Sequence, residues 1–223
     1  MVLIVFNRQR GVNRISHAFH FPGLAVSLSD ENIHSLRVLQ LEQLYVFRSP
    51  EEVRKYNPLV RIPTLILDNG EVLVESYAIL DELDQMAGSE NCLTPVSGRE
   101  RRHVMKVTAV GVGSMEKAQW AFYEGRFRPE EKIHKPWIEH NDEQVLGGLG
   151  YLNDLAEKAG DREWLAGTER MSQADITGVV AYSFAKAIRP TLEIARRLPY
   201  LAGFADRCEA LEVFSDAPIP TQQ

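Results

Sequence analysis

The stretch Asn57-Pro58-Leu59-Val60-Arg61-Ile62-Pro63-Thr64-Leu65-Ile66-Leu67-Asp68-Asn69-Gly70-Glu71-Val72-Leu73-Val74-Glu75-Ser76-Tyr77-Ala78-Ile79-Leu80 decides how this chain reads. Thr64 to Leu67 is rich in β-formers, and Asn69-Gly70 is a strong signal for a two-residue hairpin turn. Glu71 to Val74 supplies the returning strand. Ser76 then opens an apolar pattern at helical spacing (Ile79, Leu80, Leu83), and serine suits an N-cap. The segment reads strand, tight turn, strand, helix.

Two of its details carry a functional meaning beside a plainer one. Pro63 cannot donate to a ladder, and X-Pro bonds are where cis peptides occur. A cis Ile62-Pro63 bond would turn the Ile62 backbone outward, free to pair with an extended peptide ligand. Glu75-Ser76 at a helix start offers an N–H, a hydroxyl and a dipole end, which suit a ligand carboxylate. Taken singly, each has the plainer reading: Pro63 starts a strand and Ser76 caps a helix. Together, at this spacing, they are more specific.

Val60-Arg61-Ile62-Pro63-Thr64-Leu65 followed by Glu75-Ser76-Tyr77-Ala78-Ile79-Leu80 resembles the glutathione-binding half of the bacterial-type cytosolic glutathione S-transferase family. The resemblance implies an α/β thioredoxin-like N-terminal domain, a mixed sheet with flanking helices, followed by an all-helical bundle domain. It implies that Ile62, presented by Pro63, pairs through its backbone with the cysteinyl part of glutathione. Glu75 and Ser76 would hold the γ-glutamyl end. The likeness is good from about Val46 onward and poor over the first 45 residues.

Working outward, Val2 to Phe6 reads as a buried first strand. It lacks the positive region and small-residue cleavage site of a signal peptide. Asn7-Arg8-Gln9-Arg10-Gly11 is a polar loop, and Val12, Ile15 and Phe19 give a helix face ending near Pro22-Gly23. Ala25 to Leu28 can hold a second strand. Ser27 to Phe47 fits helix and strand about equally. Ser49 with Glu52 makes a capping box with Pro50 at the first helical position.

After a helix from Ser76 to Ala87, the Gly/Ser/Pro-rich segment Gly88 to Gly98 reads as a linker. The domains expected are 1–87, thioredoxin-like and glutathione-binding, and 98–217, all-helical, with 88–97 between them. Arg99 to Glu124 is one long helical pattern, in which Gly111 and Gly113 permit close packing or give a ligand room. Phe122 to Pro129 reads as an aromatic and basic loop, and Glu130 to Gly160 as a further helix. Ser172 to Asp175 forms a reciprocal cap ahead of Ile176, Val179, Val180 and Tyr182. The same cap begins the core helix of the C-terminal domain in glutathione transferases, so Asp175 is structural. A last helix spans about Pro199 to Glu212.

The chemistry the resemblance implies needs glutathione to ionise, because the thiolate is the nucleophile. The family places a Ser, Tyr or Cys donor just after the first strand, where a hydrogen bond to sulfur lowers its pKa. Here the position falls on Gln9, and the loop from Asn7 to Gly11 has no Ser, Thr, Tyr or Cys. The catalytic candidates are therefore Gln9, Asn7 and Arg10, since amide and guanidinium groups can donate to a thiolate. An exposed loop without activity is the alternative. Met105, Met115, Trp120 and Tyr123 either line an apolar second-substrate pocket or belong to the core.

Composition bounds the rest. The 223 residues, 44% hydrophobic and 25% charged, suit soluble domains. A net charge of −6 speaks against nucleic acid as main partner. No apolar run reaches the roughly 18 residues of a membrane span. Cys92 and Cys208 stand far apart without a CxxC, which suits a reducing, cytoplasmic compartment and excludes a dithiol redox enzyme. His17 and His20 have no further ligands indicated, so no metal is expected. The leading reading is a homodimeric detoxification transferase joining glutathione, as co-substrate, to small, largely apolar electrophiles. A non-catalytic binding or scaffold protein of the same fold is the runner-up. A glutathione-dependent isomerase or dehalogenase is third, although the Ser-Ser-Cys cluster typical of the isomerases is missing.

Overall fold

A computed structural model describes residues 2–5, 40–43, 47, 50–161, 163–211 and 214. The chain divides into two compact units, the first built on residues up to Cys92 and the second on Leu93–Leu211.

In the first unit, β1 (Val2–Val5), β2 (Gln40–Gln43), β3 (Thr64–Ile66) and β4 (Val72–Val74) form one sheet in the order β2-β1-β3-β4. β1 runs parallel to β2, with Val2 opposite Gln40 and Val5 opposite Gln43. It runs antiparallel to β3, with Leu3 opposite Leu65. A parallel pair needs a crossover of a dozen or more residues, and the chain between Val5 and Gln40 is long enough to supply one. The strand beside β1 is thus Gln40–Gln43, some fifteen residues beyond Ala25–Leu28, which lies outside the described residues. The polar Gln40, Glu42 and Gln43 hid it, because neither period-2 alternation nor an apolar run marks the segment. The predicted helix from Val12 and the cap residue Ser49 also lie outside the described residues.

α1 (Pro50–Arg54) buries Val53 and begins on the proline. The β3–β4 hairpin turns differently from the two-residue expectation. Leu67 N–H donates to Glu71 C=O at 2.9 Å, so three residues, Asp68-Asn69-Gly70, make the loop. Gly70 at φ 85° takes the left-handed position, and the Asn69 side chain accepts from Glu71 N–H. A three-residue loop ending in a left-handed glycine is the other common hairpin solution. Leu65 of β3 is buried, as are Ile79 and Leu80 of α2 (Ser76–Ala87), the helix that lies against β3 and β4.

The second unit is helical throughout the described residues: α3 (Gly98–Phe127), α4 (Lys135–Ala159), α5 (Gln173–Ile188), α6 (Ile194–Arg197) and α7 (Pro199–Glu209). Short 3-10 turns span Glu130–Lys132 and Pro190–Leu192. The aromatic segment Phe122–Phe127, expected as a loop, continues α3. Gln119 donates to the Tyr123 hydroxyl, and Tyr123 meets Phe127 edge-on at 5.1 Å, both one turn apart on the helix. The next helix begins at Lys135 rather than Glu130, with Pro136 in its first turn, where the missing N–H costs nothing.

α5 is the core of this unit, with thirteen of its sixteen residues buried. Its start is fixed by Asp175, whose carboxylate accepts from Ser172 N–H and Oγ at 2.8 Å and from Leu165 N–H at 2.7 Å. Burial pushes this carboxyl above the usual carboxylate range, and the three hydrogen bonds pull it back. Small residues let the helices close on one another. A Cβ on Gly111 would stand 2.9 Å from Thr177 of α5, and one on Gly148 would overlap the Ser114 hydroxyl of α3. Gly113 by contrast faces open space. Arg189 and Asp142 join α4 to the end of α5 through two bonds of 2.8 and 2.6 Å. Among the described residues no helix is long and apolar enough to cross a membrane.

Candidate functional site

The corner of the first unit where β3 begins and β4 ends collects Ile62, Pro63, Glu75 and Ser76. Thr64 pairs with Val74 across the ladder, which brings the residues just outside, Pro63 and Glu75, to the same edge. The Ile62-Pro63 peptide is cis. The Ile62 side chain is buried, and among the described residues no hydrogen bond engages its backbone.

The loop leading to this peptide is held from inside by Asn57, which is fully buried. Its Nδ2 donates to Arg61 C=O at 2.9 Å and its Oδ1 accepts from Leu59 N–H at 2.9 Å, while its own carbonyl accepts from Val60 N–H. Val60 sits at φ 52°, a left-handed conformation uncommon for a β-branched side chain. Of three positive-φ non-glycine residues among those described, two, Val60 and Glu75, belong to this corner. Such conformations cost on the order of 1–3 kcal/mol each and concentrate at ligand sites.

Glu75, at φ 67° and ψ 140°, is the N-cap of α2, and its carbonyl accepts from Ile79 N–H at 3.2 Å. Ser76, expected as the cap, is instead the first helical residue, because the backbone turn is made one position earlier. Among the described residues no side chain caps this helix end. The Glu75 side chain is half-exposed, yet its Oε1 is shielded and makes no hydrogen bond. Among the described residues its charged neighbour is Arg61, whose Nη1 lies 3.4 Å from that Oε1. The corner therefore presents the half-exposed Glu75 carboxylate paired with Arg61, a helix N-terminus that no described side chain caps, and the Ile62 backbone. That is a set of partners for an amino acid head group with an amide behind it.

Gln9, Asn7 and Arg10 lie outside the described residues, as do His17 and His20. The four candidates for a second-substrate pocket do not share one environment. Met115 is fully buried in the helical core, whereas Met105 and Trp120 are exposed on α3. Their common helix made them look alike in sequence, but its different faces separate them. Asn57, Val60 and Arg61 were not singled out from the sequence; Asn57-Pro58 is a turn dipeptide that gives a signal for the first of them.

A mixed four-stranded sheet with a cis-proline loop, followed by a helical second unit, defines a thioredoxin-like domain joined to an all-helical one. The N-terminal domain model of the glutathione S-transferases matches residues 30–91. The chain is 26% identical over 162 residues, 72% of this chain and 74% of the relative, to glutathione S-transferase GstA of Escherichia coli O157:H7. A glutathione S-transferase of Methylobacterium radiotolerans, solved with glutathione sulfonate, aligns at TM-score 0.72 and 27% identity, over 83% of this chain and 84% of that one. Another from Methylobacillus flagellatus, solved with glutathione bound, aligns at TM-score 0.73 and 28% identity, over 82% and 88%. In sequence and in fold this chain is similar to the glutathione S-transferases.

Proposed function

We propose that the protein is a glutathione transferase whose first domain, residues 1–87, binds glutathione at the Ile62–Pro63 and Glu75–Ser76 corner. The observation that carries this reading is the placement of the half-exposed Glu75 carboxylate and the start of α2 at the same end of the β3–β4 ladder as a cis Ile62-Pro63 peptide. The γ-glutamyl end of glutathione bears an ammonium and a carboxylate. Glu75 accepts from the first, competing with Arg61, and Ser76 with the helix end takes the second. The Ile62 backbone pairs with the cysteinyl amide, which fixes the thiol's position. Glutathione as the ligand is supported by the two similar proteins solved with glutathione or its sulfonate.

Chemistry then needs the thiolate to be favoured at neutral pH. Gln9 supplies a hydrogen bond to sulfur in this proposal, with Asn7 and Arg10 as the neighbouring donors, and a donor to the charged form lowers the thiol pKa. The thiolate attacks a small, largely apolar electrophile. We infer a homodimer working in the cytoplasm, where the two buried free cysteines, Cys92 and Cys208, suit a reducing environment.

The absence of Ser, Thr, Tyr and Cys between Asn7 and Gly11 favours a second reading, a protein that binds glutathione without turning it over. Calorimetric titration with glutathione, together with turnover of a chloronitrobenzene electrophile, separates the two. Binding with turnover supports the transferase, binding without turnover the second reading, and no binding removes both.

A further inference from the structure

Where α3 gives way to α4, within the second unit, Glu124, Arg128, Lys132, His134 and Trp137 line a cleft of about 430 Å³. That volume falls in the range of small-molecule sites, about 300–1,000 Å³. Its floor is ordered. Glu124 is buried, accepts from Arg128 Nε at 2.8 Å through one oxygen and from His134 N–H at 3.2 Å through the other. The one carboxylate in the lining is thus satisfied on both oxygens and has little left to attract a cation.

The other lining groups are short of partners. The Arg128 guanidinium bonds Glu124 through its Nε, its side chain is 57% exposed, and among the described residues its two terminal nitrogens make no hydrogen bond. Lys132 forms no ion pair among the described residues; Glu130 and Glu131, its neighbours in the 3-10 turn, are exposed and do not line the cleft. Trp137 stacks against His140 at 5.7 Å and 28° and keeps 41% of its surface exposed. A half-open indole beside two cationic groups is a pairing that matches a planar ring bearing a negative charge.

We propose that this cleft binds an aromatic carboxylate, with the ring against Trp137 and the carboxylate between Arg128 and Lys132. The proposal does not rest on glutathione binding, since none of its residues belongs to the Ile62–Ser76 corner. A cation is disfavoured because the only acid is already neutralised. A bare inorganic anion would leave the indole unused.

Titration of the full-length protein with naphthoate, followed by calorimetry and by Trp fluorescence, tests it. The expected result is saturable binding that weakens with added salt and survives saturating glutathione. Lys132→Gln and Trp137→Leu should each weaken it by about tenfold or by several-fold respectively, and the neutral naphthalenemethanol should bind about tenfold more weakly than naphthoate. Arg128→Lys, which keeps the Glu124 ion pair, should lose less than Lys132→Gln. No saturable binding at millimolar naphthoate would overturn the proposal. So would equal affinity for the neutral analogue, or unchanged affinity in both Lys132→Gln and Trp137→Leu.

Discussion

Glu75 shows how a single residue can serve backbone and ligand at once. Its positive φ falls between β4 and α2, and its half-exposed carboxylate faces Arg61 Nη1 at 3.4 Å. Losing a charge-assisted hydrogen bond costs about 1.5–3 kcal/mol, so Glu75→Ala and Ser76→Ala should each weaken glutathione binding by about tenfold or more. Calorimetry on the two variants checks this, and unchanged affinity in both would remove the site assignment. Gln9→Ala should lower turnover and leave affinity nearly intact; if turnover holds, Asn7 or Arg10 is the donor to replace next. Asn57→Ala strands the Arg61 carbonyl and the Leu59 N–H. It should cost about 1–3 kcal/mol in urea unfolding and weaken glutathione binding without removing a ligand contact. Cys208 has its thiol pushed up to about 12, by burial first and by the charge of Asp175 second. An unfolded cysteine releases its proton near pH ~8.5, so the folded chain holds a proton there that the unfolded chain has lost. Stability should therefore fall as pH rises from ~8.5 towards the folded value, by up to about 1.4 kcal/mol per pH unit from this group. Unfolding of Cys208→Ala across that window should show a shallower slope. Pro63, Glu75 and Ser76 were legible in the sequence because each has a chemical peculiarity of its own. Asn57 was not, because its importance comes from the two backbone groups it reaches.

Elements were legible where a local device fixes them. The Ser172–Asp175 cap is visible in sequence because its partners are three residues apart, and α5 starts where that spacing predicts. The long helical pattern after the linker and the helix from Ser76 were equally readable from apolar spacing. β2 was not, since its place beside β1 is set by pairing with a distant strand and its own residues are polar. The Phe122–Phe127 segment misled because aromatic and basic residues suggested a loop, while contacts one helical turn apart keep it in α3. Gly148 marks a contact between α3 and α4 that no single helix reveals. Gly148→Ala should destabilise the protein by about 1–3 kcal/mol, as overpacking does. Ser114→Ala removes the hydroxyl that the new methyl would meet, so the double variant should recover much of that loss. Additive losses in the double-mutant cycle would show that Ser114 is not the obstacle.

At the scale of the molecule, two units with different architectures divide the work, and each is described by its own core. The first presents the corner proposed for glutathione, and the second provides a helical body with exposed apolar residues on α3, Met105 and Trp120 among them. A homodimer covering one face of that helix should sediment at twice 25.2 kDa at micromolar concentration, and a particle of 25.2 kDa would count against it. The family-level likeness was readable from one stretch of about two dozen residues because that stretch carries the proline loop and the helix start together. The thiol's activator was not readable, because Asn7 to Gly11 departs from the residue types of the glutathione transferases it resembles. Two properties are proposed together: the Ile62–Ser76 corner binds glutathione, and Gln9, Asn7 or Arg10 favours its thiolate. Absorbance titration of the bound thiol from acid to alkaline pH, at saturation set by calorimetry, tests both halves in one sample. The expected result is saturable binding and a thiolate that appears at least about one pH unit below that of free glutathione, a shift of about 1.4 kcal/mol. Binding with the thiol titrating as it does free in solution, or no binding at all, would contradict it.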